Sequence, residues 1–390
     1  MARVTIAVMG PLTGVRVLEF EAIGPGPFCG MLLADMGADV ILVDRPADPG
    51  LGLKRERRFD VMLRGRRSLT LDLKGEHGKE AALRLAERAD AVIEGFRPGV
   101  MERLGLGPEA MHARNPRLVY GRMTGWGQSG PLAERAGHDI NYIALAGVLH
   151  AIGRAGEAPV PPLNLVGDFG GGGMLLAFGI ACGVIEARAS GHGQVVDAAM
   201  VDGAALLATM FSGFIAARQW KDGERGVNVL DTGAPWYDTY GTSDGKHVAI
   251  GAIEPKFYAG LLDRLGLDAS LAATQHDRST WPALRDRFAA TFAQRTRAEW
   301  EAVFAGSDAC FAPVLSFAES RQHPHVTARA GTIEVGGIEQ PAPAPRFDRT
   351  PSATPSSPPE RGSGGADALQ RWGFDAAAID VLRGLGVGCA

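Results

Sequence analysis

Short apolar runs separated by amphipathic stretches fill the first third of the chain. VRVLEF (15–20), DVILVD (39–44), SLTLDL (68–73), AVIEGF (91–96) and LVYGRMTGWG (118–127) each predict a strand. Between the first two lie GPGPFCG and then MLLADMGA, a glycine turn followed by apolar residues at helical spacing. Residues 76–89 predict a second helix. Strands alternating with helices imply a parallel sheet, so this part of the chain reads as open α/β.

Farther on the period changes. GHDINYIALAGVLH (137–150) has helical periodicity, and PVPPLNL then breaks it. GDFGGGGMLLAFGIACGVIEARASGHG predicts a glycine turn opening a long apolar helix, and another apolar helix is expected from about 198 to 218. Residues 236–253 alternate like a hairpin around the turn SDGK (243–246). Helical segments run from 255 to about 306, the pattern of a smaller α+β unit. Residues 340–365 are rich in Pro, Ser, Ala and Gly and read as a surface linker. Two short helices are expected at the end, and no internal repeat is visible.

Composition narrows the classes. A length of 390 residues allows about two domains. The 53 glycines are about twice the usual share and flank apolar segments, which points to tight turns rather than disorder. With 40 basic and 44 acidic residues the net charge is -4, so a dedicated nucleic-acid binder is disfavoured. No run reads as a membrane span, and MARVTIAVMGPLTG reads as a short leader before the first strand. Cys29, Cys182, Cys310 and Cys389 are scattered, which disfavours a disulfide framework or a zinc site and makes a reducing cytoplasm the default.

Candidate chemistry is sparse but local. GPGPFCG is not GxGxxG, and Pro25 and Pro27 remove amide donors that a pyrophosphate needs, so a tight strand–helix turn is favoured over a nicotinamide site. The basic stretch from Arg45 to Lys74 follows the end of a strand, where open α/β sheets place ligands. A solvated face competes with a site for a polyanionic small molecule. His138 follows a glycine at a helix start, Asp168 sits where an N-cap is ordinary, and Glu254 ends a strand before a proline. Each alone is more often structural than catalytic. His323-Pro324-His325 has no partnering ligands nearby and reads as surface.

Eight segments in order do more. GPGPFCGMLLADMGADVILVDRP, RGRRSLTLDLK, GFRPGVMERLGL, GRMTGWGQSGP, AGHDINYIALAGVL, PPLNLVGDFGGGG, GHGQVVDAAMVDG and GAIEPKFY resemble the α-methylacyl-CoA racemases of the class III (CaiB/BaiF-type) CoA-transferase superfamily. The resemblance implies a Rossmann-like large domain built from N- and C-terminal parts of the chain, a smaller α/β domain, and an interlocked homodimer. The expected division is 1–200 for the large domain, 201–230 for a linker helix, 231–320 for the small domain and 321–390 for a return segment completing the large one.

It also implies an activity. Transferases of the superfamily use the carboxylate at Asp168 as a nucleophile, usually carry Gln or Phe instead of the histidine of GHDINY, and tend to have a glycine-rich loop where this chain has Ile253-Glu254-Pro255. His138 with Glu254 therefore points to an isomerase of lipid metabolism. It would interconvert (R)- and (S)-2-methylacyl-CoA thioesters by 1,1-proton transfer through an enolate, with CoA transfer between carboxylic acids as the alternative. His138 and Asp168 would be the two acid/base groups, with Glu254 orienting His138. Arg45 and Leu71-Asp72-Leu73-Lys74 would hold the CoA nucleotide, with Phe96 and Arg103 assisting. Gly137, His138, Asp139, Ile140, Asn141 and Tyr142 would line the thioester end. No metal or separate cofactor is implied, since CoA is part of the substrate, and neither a nucleic acid nor a membrane is expected as a partner. The resemblance has Lys more often than Arg at position 66, a change that keeps the charge.

Overall fold

The computed structural model describes residues 10–388, so the opening MARVTIAVM and Cys389 lie outside the described residues. The chain divides into two units. One comprises the residues up to Ala146, Leu163–Leu207 and those from Ala328 onward; the other comprises Gly147–Pro162 and Ala208–Thr327. Gly147–Pro162 thus groups with the smaller unit, although the sequence reading kept it in the larger. Arg154 accounts for this, because its guanidinium donates to both carboxylate oxygens of Asp238 at 3.1 and 2.9 Å.

The larger unit is built on six strands: β1 (Arg16–Phe20), β2 (Asp39–Asp44), β3 (Arg66–Thr70), β4 (Ala91–Glu94), β5 (Val119–Thr124) and β6 (Val195–Ala199). Their order is β3-β2-β1-β4-β5-β6, and all the pairings are parallel. The order reverses between β1 and β4, which opens a crevice at the carboxyl ends of the strands. Two strands stop earlier than their apolar runs suggest, because side chains turn the backbone. Asp72 accepts the Lys74 amide at 3.1 Å, and Thr124 accepts the Gly127 amide at 3.0 Å. β6 occupies the start of what reads as an apolar helix. Its pairing with β5 wins, helix begins at Met200, and the helical stretch breaks between Leu207 and Thr209.

Both sheet faces are covered. Leu18, Phe20, Ile41, Val43 and Tyr120 point to one side, against Leu85, Leu369, Trp372 and Leu382. Val17, Val40, Ile93 and Val119 point to the other, against Leu33, Leu176, Ile180 and Val184. This period-two division with apolar residues on both faces marks a sheet buried on both sides. Helix Leu165–Ser190 is continuous over 26 residues, long and apolar enough to span a membrane by length and composition. The sequence reading had excluded such a run. Here Leu176, Ile180, Val184 and Ala187 are buried against the sheet, as in a core helix.

The stretch expected as a surface linker is instead pinned along β3. The Gly65 amide donates to the Ser356 carbonyl at 3.0 Å, and the Gly364 amide donates to the Ser68 carbonyl at 2.7 Å. Thr70 and Gly388 exchange amide–carbonyl bonds of 3.1 and 2.9 Å.

The smaller unit holds an antiparallel sheet of β7 (Tyr237–Gly241), β8 (His247–Gly251) and β9 (Phe311–Pro313). The hairpin registers Tyr237 with Gly251 and Gly241 with His247. Helices Pro255–Leu265, Trp281–Phe292 and Arg297–Phe304 enclose an aromatic core around Trp236, Tyr240, Tyr258, Phe288 and Trp300.

Candidate active site

The strand ends carry the proposed nucleotide ligands. Arg45 follows β2, Leu71-Asp72-Leu73-Lys74 follow β3, and Phe96 follows β4. The Arg45 guanidinium carbon lies 5.7 Å from the centre of the Phe96 ring. Arg103 closes the short helix Val100–Arg103 and is exposed. Leu71 is buried and Leu73 half-buried in the core, whereas Asp72 and Lys74 are exposed. Buried Glu94 accepts the Phe96 amide at 2.7 Å, which fixes that loop. Burial pushes the Glu94 carboxyl up to about 7 against the opposing effect of Arg122.

Most of the basic stretch is spent internally. Arg57 forks onto Asp44, Arg64 onto Asp35 and Arg66 onto Glu19. Arg67 pairs with Asp39 and Arg55 with Asp60. These pairs leave less of the stretch for a bound anion than its charge alone suggests. Its arginines find partners on the strands, helix and turns around them, as Arg66 does on Glu19 of β1 and Arg64 on Asp35 at the end of helix Pro25–Asp35. Among the described residues Arg45, Lys54 and Lys74 keep charged groups outside these pairs, as do Arg97 and Arg103 beyond β4.

His138 is the N-cap of helix Asp139–Leu145, and its amide donates to Asn141 Oδ1 at 3.0 Å. Its ring is exposed. Tyr142 turns back under it and donates to the Gly137 carbonyl, while Trp126 meets the Tyr142 ring edge-on at 4.7 Å. Ile140 is exposed on the same turn. Asp168 is not an N-cap. It lies inside a π-helical turn, Leu165–Met174, that runs straight into the long helix. Such wide turns recur at functional sites.

The Asp168 carboxylate has a defined setting. Asn164 Nδ2 donates to its Oδ2 at 2.9 Å. Gly24, at φ 64°, approaches so closely that a Cβ there would sit 3.2 Å from Oδ2. Burial raises the carboxyl above the ordinary aspartate range; the Asn164 bond opposes this, Asp139 adds to it, and His138 lowers it by its charge. His138 and Asp168 therefore lie within electrostatic reach of each other. The Asp168 amide donates to Asp139 Oδ2 at 2.7 Å, so it is not free to bind an enolate oxygen. Asp139 Oδ1 is buried with no partner. Sequence reasoning missed Gly24 and Asn164 as neighbours of Asp168. The PPLNL motif gives no signal for Asn164, and GPGPFCG signals only a turn.

Glu254 belongs to the smaller unit. It is the residue before helix Pro255–Leu265, with extended backbone and an exposed side chain. Gln275 Nε2 donates to the Ala252 and Ile253 carbonyls at 3.1 and 2.9 Å, which fixes the turn that presents Glu254. Burial, then the Glu254 charge, pushes the Cys310 thiol up.

A family model described as CoA-transferase family III matches residues 12–364. The chain belongs to CoA-transferase family III. Within the family it is 47% identical over 375 residues to an α-methylacyl-CoA racemase of Mus musculus, covering 95% of this chain and 96% of the relative. It is 32% identical to a succinyl-CoA–D-citramalate CoA-transferase of Chloroflexus aurantiacus, covering 90% and 91% of the two chains. A crystal structure of a CAIB/BAIF family protein from Brucella suis superposes with a TM-score of 0.78 at 27% identity, covering 93% of this chain and 100% of that one.

Proposed function

We propose that this chain interconverts (R)- and (S)-2-methylacyl-CoA thioesters. One base takes the α-proton, the C–H electrons pass into an enolate, and the other group returns a proton to the opposite face. His138 and Asp168 are those groups. The two then stand in exchanged protonation states and reset through the reverse reaction or through solvent. The positive end of the Leu165–Ser190 helix favours the enolate charge. Glu254 orients His138, Arg45 and the residues after β3 hold the nucleotide, and Gly137–Tyr142 line the thioester end. The observation that carries this reading is a half-buried Asp168 carboxyl, raised by burial and lowered by the charge of His138. The identity to the mouse racemase supports it.

CoA transfer with Asp168 as nucleophile is the second reading, supported by the identity to the Chloroflexus transferase. Incubation in D₂O decides between them. A single enantiomer of a 2-methylacyl-CoA is expected to racemise and gain deuterium at C2 without a second substrate. CoA exchange to an added carboxylate without deuterium at C2 would install the transferase reading.

The working form is proposed to be an interlocked homodimer in the cytoplasm. Its support is an apolar strip on the long helix, where Met174 is 53%, Phe178 67% and Ile185 72% exposed, beside exposed Leu206 and Leu207. A helix that is apolar all round normally has protein on every side.

A further inference from the structure

We propose that Arg361 is a positioning residue that holds the Arg45 loop in register for the substrate nucleotide. The inference rests on the reading of Arg45 as a CoA contact. Arg361 comes from the stretch pinned along β3, more than 300 residues from the loop it reaches. Its Nη2 donates to Glu21 Oε1 at 2.5 Å, and its Nη1 donates to the Arg45 carbonyl at 3.2 Å and to Asp44 Oδ1 at 3.3 Å. The second oxygen of Glu21 accepts the Arg45 amide at 3.0 Å. Glu21 follows β1 and Arg45 follows β2, so one guanidinium and one carboxylate tie the ends of two adjacent strands together at the mouth of the crevice.

The peptide of Arg45 is thus gripped at its amide by Glu21 and at its carbonyl by Arg361. The Arg45 side chain takes no part in this grip and projects toward Phe96. Behind it the network is saturated. Asp44 is buried and also accepts Arg57 and Ser68, and Arg57 Nε donates to the Pro359 carbonyl at 2.6 Å. A planar fork with five fixed donors suits such bridging, whereas an ammonium is a compact charge on a flexible stem without that fixed geometry. No catalytic proton passes through Arg361. Its effect belongs in binding, at the end of the substrate farthest from the reacting carbon.

Wild type, Arg361→Gln, Arg361→Lys, Arg45→Ala and the double variant Arg45→Ala/Arg361→Gln are assayed with a 2-methylacyl-CoA and with the same acyl group on pantetheine, which lacks the nucleotide. Calorimetric Kd values for CoA itself supply a readout independent of turnover. Arg361→Gln is expected to raise KM for the CoA ester and Kd for CoA by about 10- to 100-fold, the scale of a lost charge-assisted hydrogen bond. Its kcat stays within about twofold, as for a contact made equally in ground and transition states. The pantetheine ester is unaffected, Arg361→Lys retains most of the loss, and the double variant is no worse than Arg45→Ala alone. Equal losses on both esters, a matching fall in kcat, full rescue by lysine, or additive effects in the double variant would overturn the proposal. If Arg45→Ala leaves Kd for CoA unchanged, the Arg45 reading falls, and the positioning role falls with it. If Arg45→Ala weakens CoA and Arg361→Gln does not, the positioning role alone is rejected.

Discussion

Asp168 holds its proton more tightly than a solvated aspartate, because burial outweighs the Asn164 hydrogen bond and the His138 charge. As a base it must first lose that proton, so its deprotonating half-reaction weakens on acidification at a higher pH than an ordinary aspartate, with a pKa near 3.9, would allow. This separates the two proposed bases experimentally. His138→Ala and Asp168→Ala should each lower racemisation by roughly the 10²–10⁴-fold of a missing acid/base group. Each variant should still exchange the α-proton of one enantiomer without inversion, and the enantiomer should differ between them. In His138→Ala the surviving exchange should show the raised acid limb. Loss of exchange for the same enantiomer in both variants, followed by NMR in D₂O, removes the two-base arrangement. His138 and Asp168 were legible as residue types in context. Gly24 and Arg361 were not, because each meets its partners through a contact between distant parts of the chain, and Asn164 was passed over although it stands four residues before Asp168.

Among the elements, β1 and β3 depend on a pair of charges sealed between them and the helix Pro25–Asp35. Glu19 and Arg66 are both buried, bonded at 2.5 and 3.1 Å, and Arg66 also reaches the Pro27 and Met62 carbonyls. Gly30 lies directly over them, where a Cβ would come within 2.2 Å of Glu19 Oε2 and 2.5 Å of Arg66 Nη2. Replacing Arg66 by Met leaves Glu19 charged and alone, which costs about 3–5 kcal/mol. Gly30→Ala should cost about 1–3 kcal/mol by overpacking. Urea unfolding of both variants measures this, and a loss under 1 kcal/mol for Arg66→Met would show that Glu19 is readily neutralised there. The alternation of VRVLEF announced β1, yet it could not tell that Glu19 lies buried and paired with Arg66. Five strands of the α/β core were legible because period-two runs and glycine turns are local; β6 was not. The start of the helix expected near 198 was misread because the segment around Val195–Ala199 fits either state, and only the pairing with β5 decides.

For the molecule as a whole, the exposed strip on the long helix sets the proposed assembly. Phe178→Glu places a charge on that strip without touching His138 or Asp168. It should shift the protein toward monomers in sedimentation velocity; an unchanged sedimentation coefficient would mean that the strip is not the contact. Domain boundaries were the least legible level. Gly147–Pro162 carries a helical and then a proline-rich pattern that fits either unit, and the fork of Arg154 on Asp238 assigns it.

The pinning of the final segment along β3 also has a consequence for biogenesis. The Ser68 carbonyl and the Thr70 amide and carbonyl are met by Gly364 and Gly388 only when the end of the chain arrives, and Trp372 and Leu382 cover a sheet face begun more than 300 residues earlier. A nascent chain leaving the ribosome at about 5–20 residues per second therefore carries an uncapped edge strand and a bare apolar face through most of its synthesis. The smaller unit is contiguous apart from Gly147–Pro162 and emerges before that edge is covered, so holdase chaperones would meet β3 before its own sequence does.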